Sequence, residues 1–294
     1  MTALFRRNIK MFFRDKGMFF VSLITPMILL VLYVSFLGNV YRDAFRSAIP
    51  GVFSVPDDVM NGLVGGQLVS SMLSVSCVTV SFCANLLMVQ DKANGTLRDL
   101  TIAPVRGGVL AAAYFLATWA SALLICMPAL GVCLAYLAAT GWYLTAMDTA
   151  MLACDVLLMT LFGTAWSSVI SSFLSTQGQM SAVGTIVSST YGFLSGAYMP
   201  ISQFGEGLQN VIACLPGTYG TVLMRRHAMG GAIAALGELG VPEAALDLMR
   251  DSVDCNLYLF GTRVPDVWLW AVPVIVTAAL TAAYVLIHTK RKTA

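Results

Sequence analysis

Asp155 interrupts the apolar run from about 146 to 174. An ionisable side chain in hydrocarbon is costly, and it points to a cavity, a partner or an ion path. Asp148 stands about two turns earlier, so the pair can equally lie near a hydrated surface, where Asp155 does no more than make a structural hydrogen bond. Other groups able to do chemistry are sparse. The two histidines, His227 and His288, form no set with a serine and an acid, so hydrolysis has no clear base. Of seven cysteines, Cys77, Cys83, Cys126, Cys133 and Cys154 fall in apolar runs and none makes a CxxC pair, which argues against zinc. Cys214 and Cys255 lie in a more polar segment, where a disulfide and two unrelated thiols are both open. The sequence has no GxxxxGK[ST] phosphate loop, and Gly65-Gly66 and Gly107-Gly108 lack the Lys and Ser or Thr that such a loop needs. No catalytic residue, resident metal or bound cofactor is expected, and work against a gradient must draw on a partner or an ion gradient.

The elements that would position these residues are set by hydrophobicity. The chain is 58% apolar and 11% charged, where soluble proteins run at about 45–50% and about 25%. A bilayer core of roughly 30 Å takes about 20 mainly apolar residues per helix, and several runs reach that length. Six spans are expected, at 18–37, 62–89, 108–138, 146–174, 179–199 and 267–287, in an all-α integral membrane domain covering 1–294. Eleven of the 17 Lys and Arg lie before residue 17, within 90–106 or after 289, against three of the 15 Asp and Glu. This bias places both termini in the cytoplasm.

Residues 1–17 set Phe5, Ile9, Phe12 and Phe13 against Arg7, Lys10 and Arg14 at helical spacing, which predicts a basic amphipathic helix in the headgroup plane. Met18 to Leu37 lacks a charge and a cleavage site, so it is a retained span rather than a signal peptide, with a kink at Pro26. An external loop is expected over 38–61. The second span is rich in Ser70, Ser71, Ser74, Ser76, Thr79 and Ser81, whose hydroxyls satisfy backbone carbonyls in lipid. Gly184, Ser188, Gly192 and Gly196 recur every four residues on the fifth span, and Gly163, Ser167 and Ser171 on the fourth. Such stripes serve close packing within one chain, subunit contact or the lining of a path; with Ser70, Ser74 and Asp155 they are the candidate path or packing residues. The segment 200–266 is too polar to span. Gln203 to Leu215 suits a re-entrant piece, and Pro242 to Asp254 an external helix.

The inner loop over 90–106 has a distinct pattern. Asn94 and Gly95 break the second span, Thr96 caps a new helix, Leu97, Leu100 and Ile102 give it an apolar edge, and Pro104 ends it. A short helix lying on the inner surface and fitted to another protein's groove is one reading, and an ordinary charged hairpin is the other.

The stretch DKANGTLRDLTIAPVR, the basic RRNIKMFFRDKGMFF before a Pro-containing span, and FLSGAYMPISQF followed by LPGTY resemble the permease subunits of type-2 ATP-binding-cassette exporters, including drug-resistance transporters. The resemblance runs over nearly the whole chain in order and spacing. It implies a coupling helix after the second span that seats in a separate phosphate-loop ATPase through Gly95, Thr96, Leu97, Leu100, Pro104 and Val105, with Asp91 opening the stretch. Many relatives carry a glutamate just before this glycine; here Ala93 and Asn94 stand. It further implies a re-entrant pair of short helices before the last span and a second permease copy or close paralogue. ATP and Mg would sit on the partner, the substrate would be hydrophobic or amphipathic (drug, lipid, peptide or glycan), and the site of action would be a plasma membrane, of bacterial type, with no nucleic acid involved. An ion-driven transporter or channel and a non-transporting scaffold or sensor are the alternatives.

Overall fold

The computed structural model describes residues 1–48, 55–102 and 107–290. Within these the regular structure is helical apart from one two-stranded hairpin. Helix α1 (Thr2–Arg14) precedes α2 (Lys16–Leu32), which passes through a π-helical turn (Tyr33–Leu37) into α3 (Gly38–Ala48). Then come α4 (Asp57–Ala93), α5 (Thr96–Ile102), α6 (Gly107–Thr140), α7 (Ala146–Phe173) and α8 (Gln177–Leu194). A 3₁₀ turn (Ile201–Gln203), α9 (Glu206–Ala213), α10 (Pro216–Glu238) and α11 (Glu243–Ser252) lead to strands β1 (Tyr258–Leu259) and β2 (Thr262–Arg263) and to α12 (Asp266–Lys290).

Five helical stretches are long and apolar enough to cross a membrane: Pro26–Ser47, Asp57–Ala93, Gly107–Thr140, Ala146–Phe173 and Asp266–Thr289. The expected span 179–199 corresponds to α8, which ends at Leu194 and carries enough Ser, Thr, Gly and Gln to fall outside that group. The expected loop over 38–61 is corrected at both ends, because α3 (Gly38–Ala48) extends the first span and α4 already begins at Asp57; residues 49–54 lie outside the described residues. Tyr41 and Phe45, four residues apart, are buried while Arg42, Asp43 and Arg46 face outward. Asp57, at the start of α4, stands 3.6 Å from Arg46.

The longest helix, α4, is the axis of the bundle and touches α2, α3, α6, α7, α8 and α10. Lipid gives apolar helices little reason to associate, so close backbone approach must do that work. The sequence supplies it at glycines. A Cβ at Gly163 would lie 3.0 Å from Val78 Cα, and one at Gly66 would lie 2.6 Å from the Ala228 carbonyl oxygen. The α4 hydroxyls return to their own helix: Ser76, Thr79 and Ser81 each donate to the carbonyl four residues back, at 2.6, 2.9 and 2.7 Å. Thr145 and Asp148 form a capping box that starts α7, so Asp148 is a helix cap. Thr176 and Gln179 do the same for α8.

The segment 200–266 differs most from expectation. It contains α10, a 23-residue helix that the cluster Arg225-Arg226-His227 makes look too polar to be buried. These side chains turn inward to acceptors, and α10 packs along α4, α7 and α12. Helix α9 leads into a tight turn at Leu215-Pro216 from which α10 departs, its first turn lying beside Tyr191 and Ser74 midway along the bundle.

Candidate functional site

A cleft of about 1140 Å³ opens between α2, α3, α4 and α8. Ile24, Ile28 and Leu32 form one wall, Phe82, Cys83 and Leu86 the back, and Ser181, Gly184, Thr185 and Ser188 the facing wall. The lining is mostly apolar, with a column of hydroxyls on α8. Thr185 and Ser189 bond carbonyls of their own helix, each at 2.9 Å. Such a surface accepts an apolar or amphipathic body and makes few directional demands on it.

The small-residue stripe of the fifth span is divided by the structure. Gly184 and Ser188 line the cleft, and nothing approaches within 4 Å of where a Cβ on Gly184 would stand. Gly192 lies under the Tyr198 ring. Gly196 lies beyond the end of α8, at φ 71° in the turn that follows, so it does not belong to the stripe. Ser70 and Ser74 are wholly buried away from the cleft: Ser70 donates to the Gln67 carbonyl, and Ser74 shares a hydrogen bond with Thr221 of α10. On α7, Gly163 and Ser167 pack against α4, where Asn85 reaches Ser167 at 3.1 Å. This stripe serves packing within the chain.

The ends of α1 and α12, the 93–96 turn and the 174–176 turn gather at one end of the bundle, here the basic end. Asp91 is 3% exposed and points inward. It accepts two hydrogen bonds from Arg7, at 2.7 and 3.0 Å, and one from the Tyr114 hydroxyl. The carboxylate raises the already high pKa of Arg7 against the effect of desolvation, and so keeps the guanidinium charged. Asp91 therefore brackets α1, α4 and α6 and is not an outward contact. Its neighbour Lys92 donates to the carbonyls of Ser171, Ser172 and Leu174, at 2.6, 3.1 and 3.1 Å, and closes the C-terminal end of α7. Gly95 takes φ 78°, which ends α4 and begins α5. Thr96 starts that helix, and Leu97 and Leu100 pack on the cluster around Met88, Leu110 and Tyr114. Of the expected apolar edge, Leu97 and Leu100 thus face the chain's own bundle, whereas Ile102 lies outward at 78% exposure beside Arg98 and Asp99. Pro104 and Val105 lie outside the described residues.

Asp155 is 1% exposed, and its Oδ2 lies 2.6 Å from Nδ1 of His227 on α10. Its Oδ1 has no partner among the described residues. Two residues that the sequence reading did not single out organise the opposite end. Arg225 is wholly buried and donates to the carbonyls of Val253 (2.7 Å) and Gly196 (2.8 Å), to Asp254 (3.2 Å) and to Ser71 (3.5 Å). Burial pushes the Asp254 carboxyl above its usual range, with Arg225 pulling the other way. Arg226 donates to the Cys255 carbonyl and to Asp266. The available signal was two arginines and a histidine inside a helix-length stretch between Pro216 and Gly240. Cys214 and Cys255 are free thiols.

Five membrane-length helical stretches around the buried axis of α4, with a largely apolar cleft beside it, define an all-α membrane protein. Residues 1–227 match the ABC-2 type transporter family; the chain belongs to that family and is a permease of an ABC transporter. No protein of curated function matches it significantly.

Proposed function

We propose that this permease is the membrane subunit of an exporter driven by a separate phosphate-loop ATPase. Its basic end faces the cytoplasm of a bacterial cell, and two copies, or one copy and a close paralogue, pair across the cleft. The observation that carries the reading is the span of α4. One rigid helix backs the cleft at Phe82, Cys83 and Leu86 and, two turns further on, runs into the bracketed hairpin at Asp91 and Lys92. A push on α5 is therefore delivered to the wall of the cleft. ATP and Mg are held by the partner, and hydrophobic or amphipathic cargo leaves along the wall formed by α2, α4 and α8.

The residues that meet the ATPase are Asp99 and Ile102 on the outward side of α5. Asp91, Leu97 and Leu100 hold that surface in place from behind. Ile102→Asp is expected to leave the permease folded in the membrane and to abolish copurification of the ATPase in mild detergent. Retained association after Ile102→Asp and after deletion of residues 96–105 would reject the coupling role.

A further inference from the structure

The β1–β2 hairpin turns through Phe260 and Gly261, at φ 49° and 75°, with Leu259 paired to Thr262. Two-residue turns with both central residues at positive φ favour Asn-Gly, because a bulky side chain is strained there. Phe260 occupies the position nonetheless and is 75% exposed. The hairpin holds this aromatic ring outward by design of its root. Leu257 and Val264 are buried with Ile212, Tyr219 and Leu269, and the Phe260 N–H donates to Asn210 Oδ1 at 2.8 Å.

The flanking surfaces are apolar as well. Leu208 and Val211, one turn apart on α9, are 45% and 56% exposed, and Val267 and Trp268, at the start of α12, are 75% and 52% exposed. This patch runs directly into Val274 and Ile275, the exposed apolar flank of a helix long enough to cross the membrane. Arg263 and Asp266, both exposed, rim it with charge.

We propose that Phe260, with Leu208, Val211, Val267 and Trp268, forms a lip that inserts into the acyl-chain border of the leaflet at this end of the bundle. Its occupant is lipid, because the patch continues a lipid-facing span, and aromatic side chains with a charged rim suit the boundary between headgroups and chains. The strained turn keeps the ring at that depth, and the α9–α10 hairpin is thereby fastened to the bilayer as well as to α4. The assignment of this end to the outer leaflet rests on the orientation proposed above; insertion itself does not.

The test is a nitroxide label at Phe260→Cys, in a background with Cys83→Ser, Cys154→Ser and Cys214→Ser, which removes the thiols that are not buried, reconstituted in phosphatidylcholine–phosphatidylglycerol vesicles. Power saturation is expected to show that oxygen reaches the label severalfold better than a water-soluble nickel chelate. A label at Leu248→Cys, exposed on α11, should show the reverse. If position 260 behaves like 248, or if labels at 260 broaden one another's spectra through contact between two copies, the lip is not a lipid anchor. Phe260→Asn, at ease with positive φ, is expected to melt no lower than the parent in detergent; a marked loss there would make the ring a packing residue and overturn the proposal. None of these readouts needs ATPase or cargo, so they succeed or fail separately from the transport reading.

Discussion

Arg7 and Asp91, 84 residues apart, form a two-pronged ion pair that ties the amphipathic N-terminal helix to the last turn of the central helix. The Asp91 side chain is 4% exposed and the Arg7 side chain 29%, so the pair is shielded on one side only. Breaking a fully buried pair costs about 3–5 kcal/mol, chiefly by stranding a charge. The partial exposure of Arg7 lowers the expectation for Arg7→Ala to about 2 kcal/mol. Thermal unfolding in detergent checks it. Arg7→Leu combined with Asp91→Leu should recover much of the loss, because neither charge is then stranded.

His227→Ala would leave both oxygens of buried Asp155 without a partner, and a loss of about 1–3 kcal/mol is expected. Asp155→Asn keeps a group able to bond the imidazole and should cost less. In vesicles carrying the ATPase, efflux should persist when an ionophore collapses the proton gradient. Efflux that stops with the gradient, and that becomes indifferent to it in Asp155→Asn, would instead make this pair the coupling site of an ion-driven transporter.

The two glycines Gly184 and Gly192 sit on one helix with opposite surroundings. Gly184→Trp projects into the open cleft, so the melting temperature should hold while substrate efflux from vesicles is lost. Gly192→Ala would set its Cβ 2.3 Å from the Tyr198 ring, and a penalty of about 1–3 kcal/mol is expected from overpacking. Equal melting temperatures for the two variants would contradict this division of the stripe.

Adjacent glycines on α10 give a sharper contrast. A Cβ at Gly231 would fall 1.7 Å from the Tyr143 carbonyl oxygen, a backbone atom with little room to move. Gly231→Ala should therefore lose about 3 kcal/mol or fail to fold. Gly230 meets nothing within 4 Å, and Gly230→Ala should gain up to about 1 kcal/mol from helix propensity. Side-by-side melts decide it.

Runs of apolar residues, basic clusters and the Asn94-Gly95-Thr96 break were enough to place long helices, a basic amphipathic leader and a short helix after the second span. These features are local: lipid selects length and hydrophobicity residue by residue, and a cap or a glycine turn acts within one turn of chain. Only the tertiary structure decided which way those residues face. The α5 leucines were legible as an apolar edge, but that edge seals the chain's own bundle because the cluster at Met88, Leu110 and Tyr114 lies behind it. The segment that holds α10 reads as too polar to span, yet Arg225 is buried and Arg226 half-buried in it because distant carbonyls at Gly196, Val253 and Cys255 meet them. Asp155 and His227 find each other across 72 residues. Partnership of this kind depends on long-range packing, and periodicity within a single helix carries no record of it.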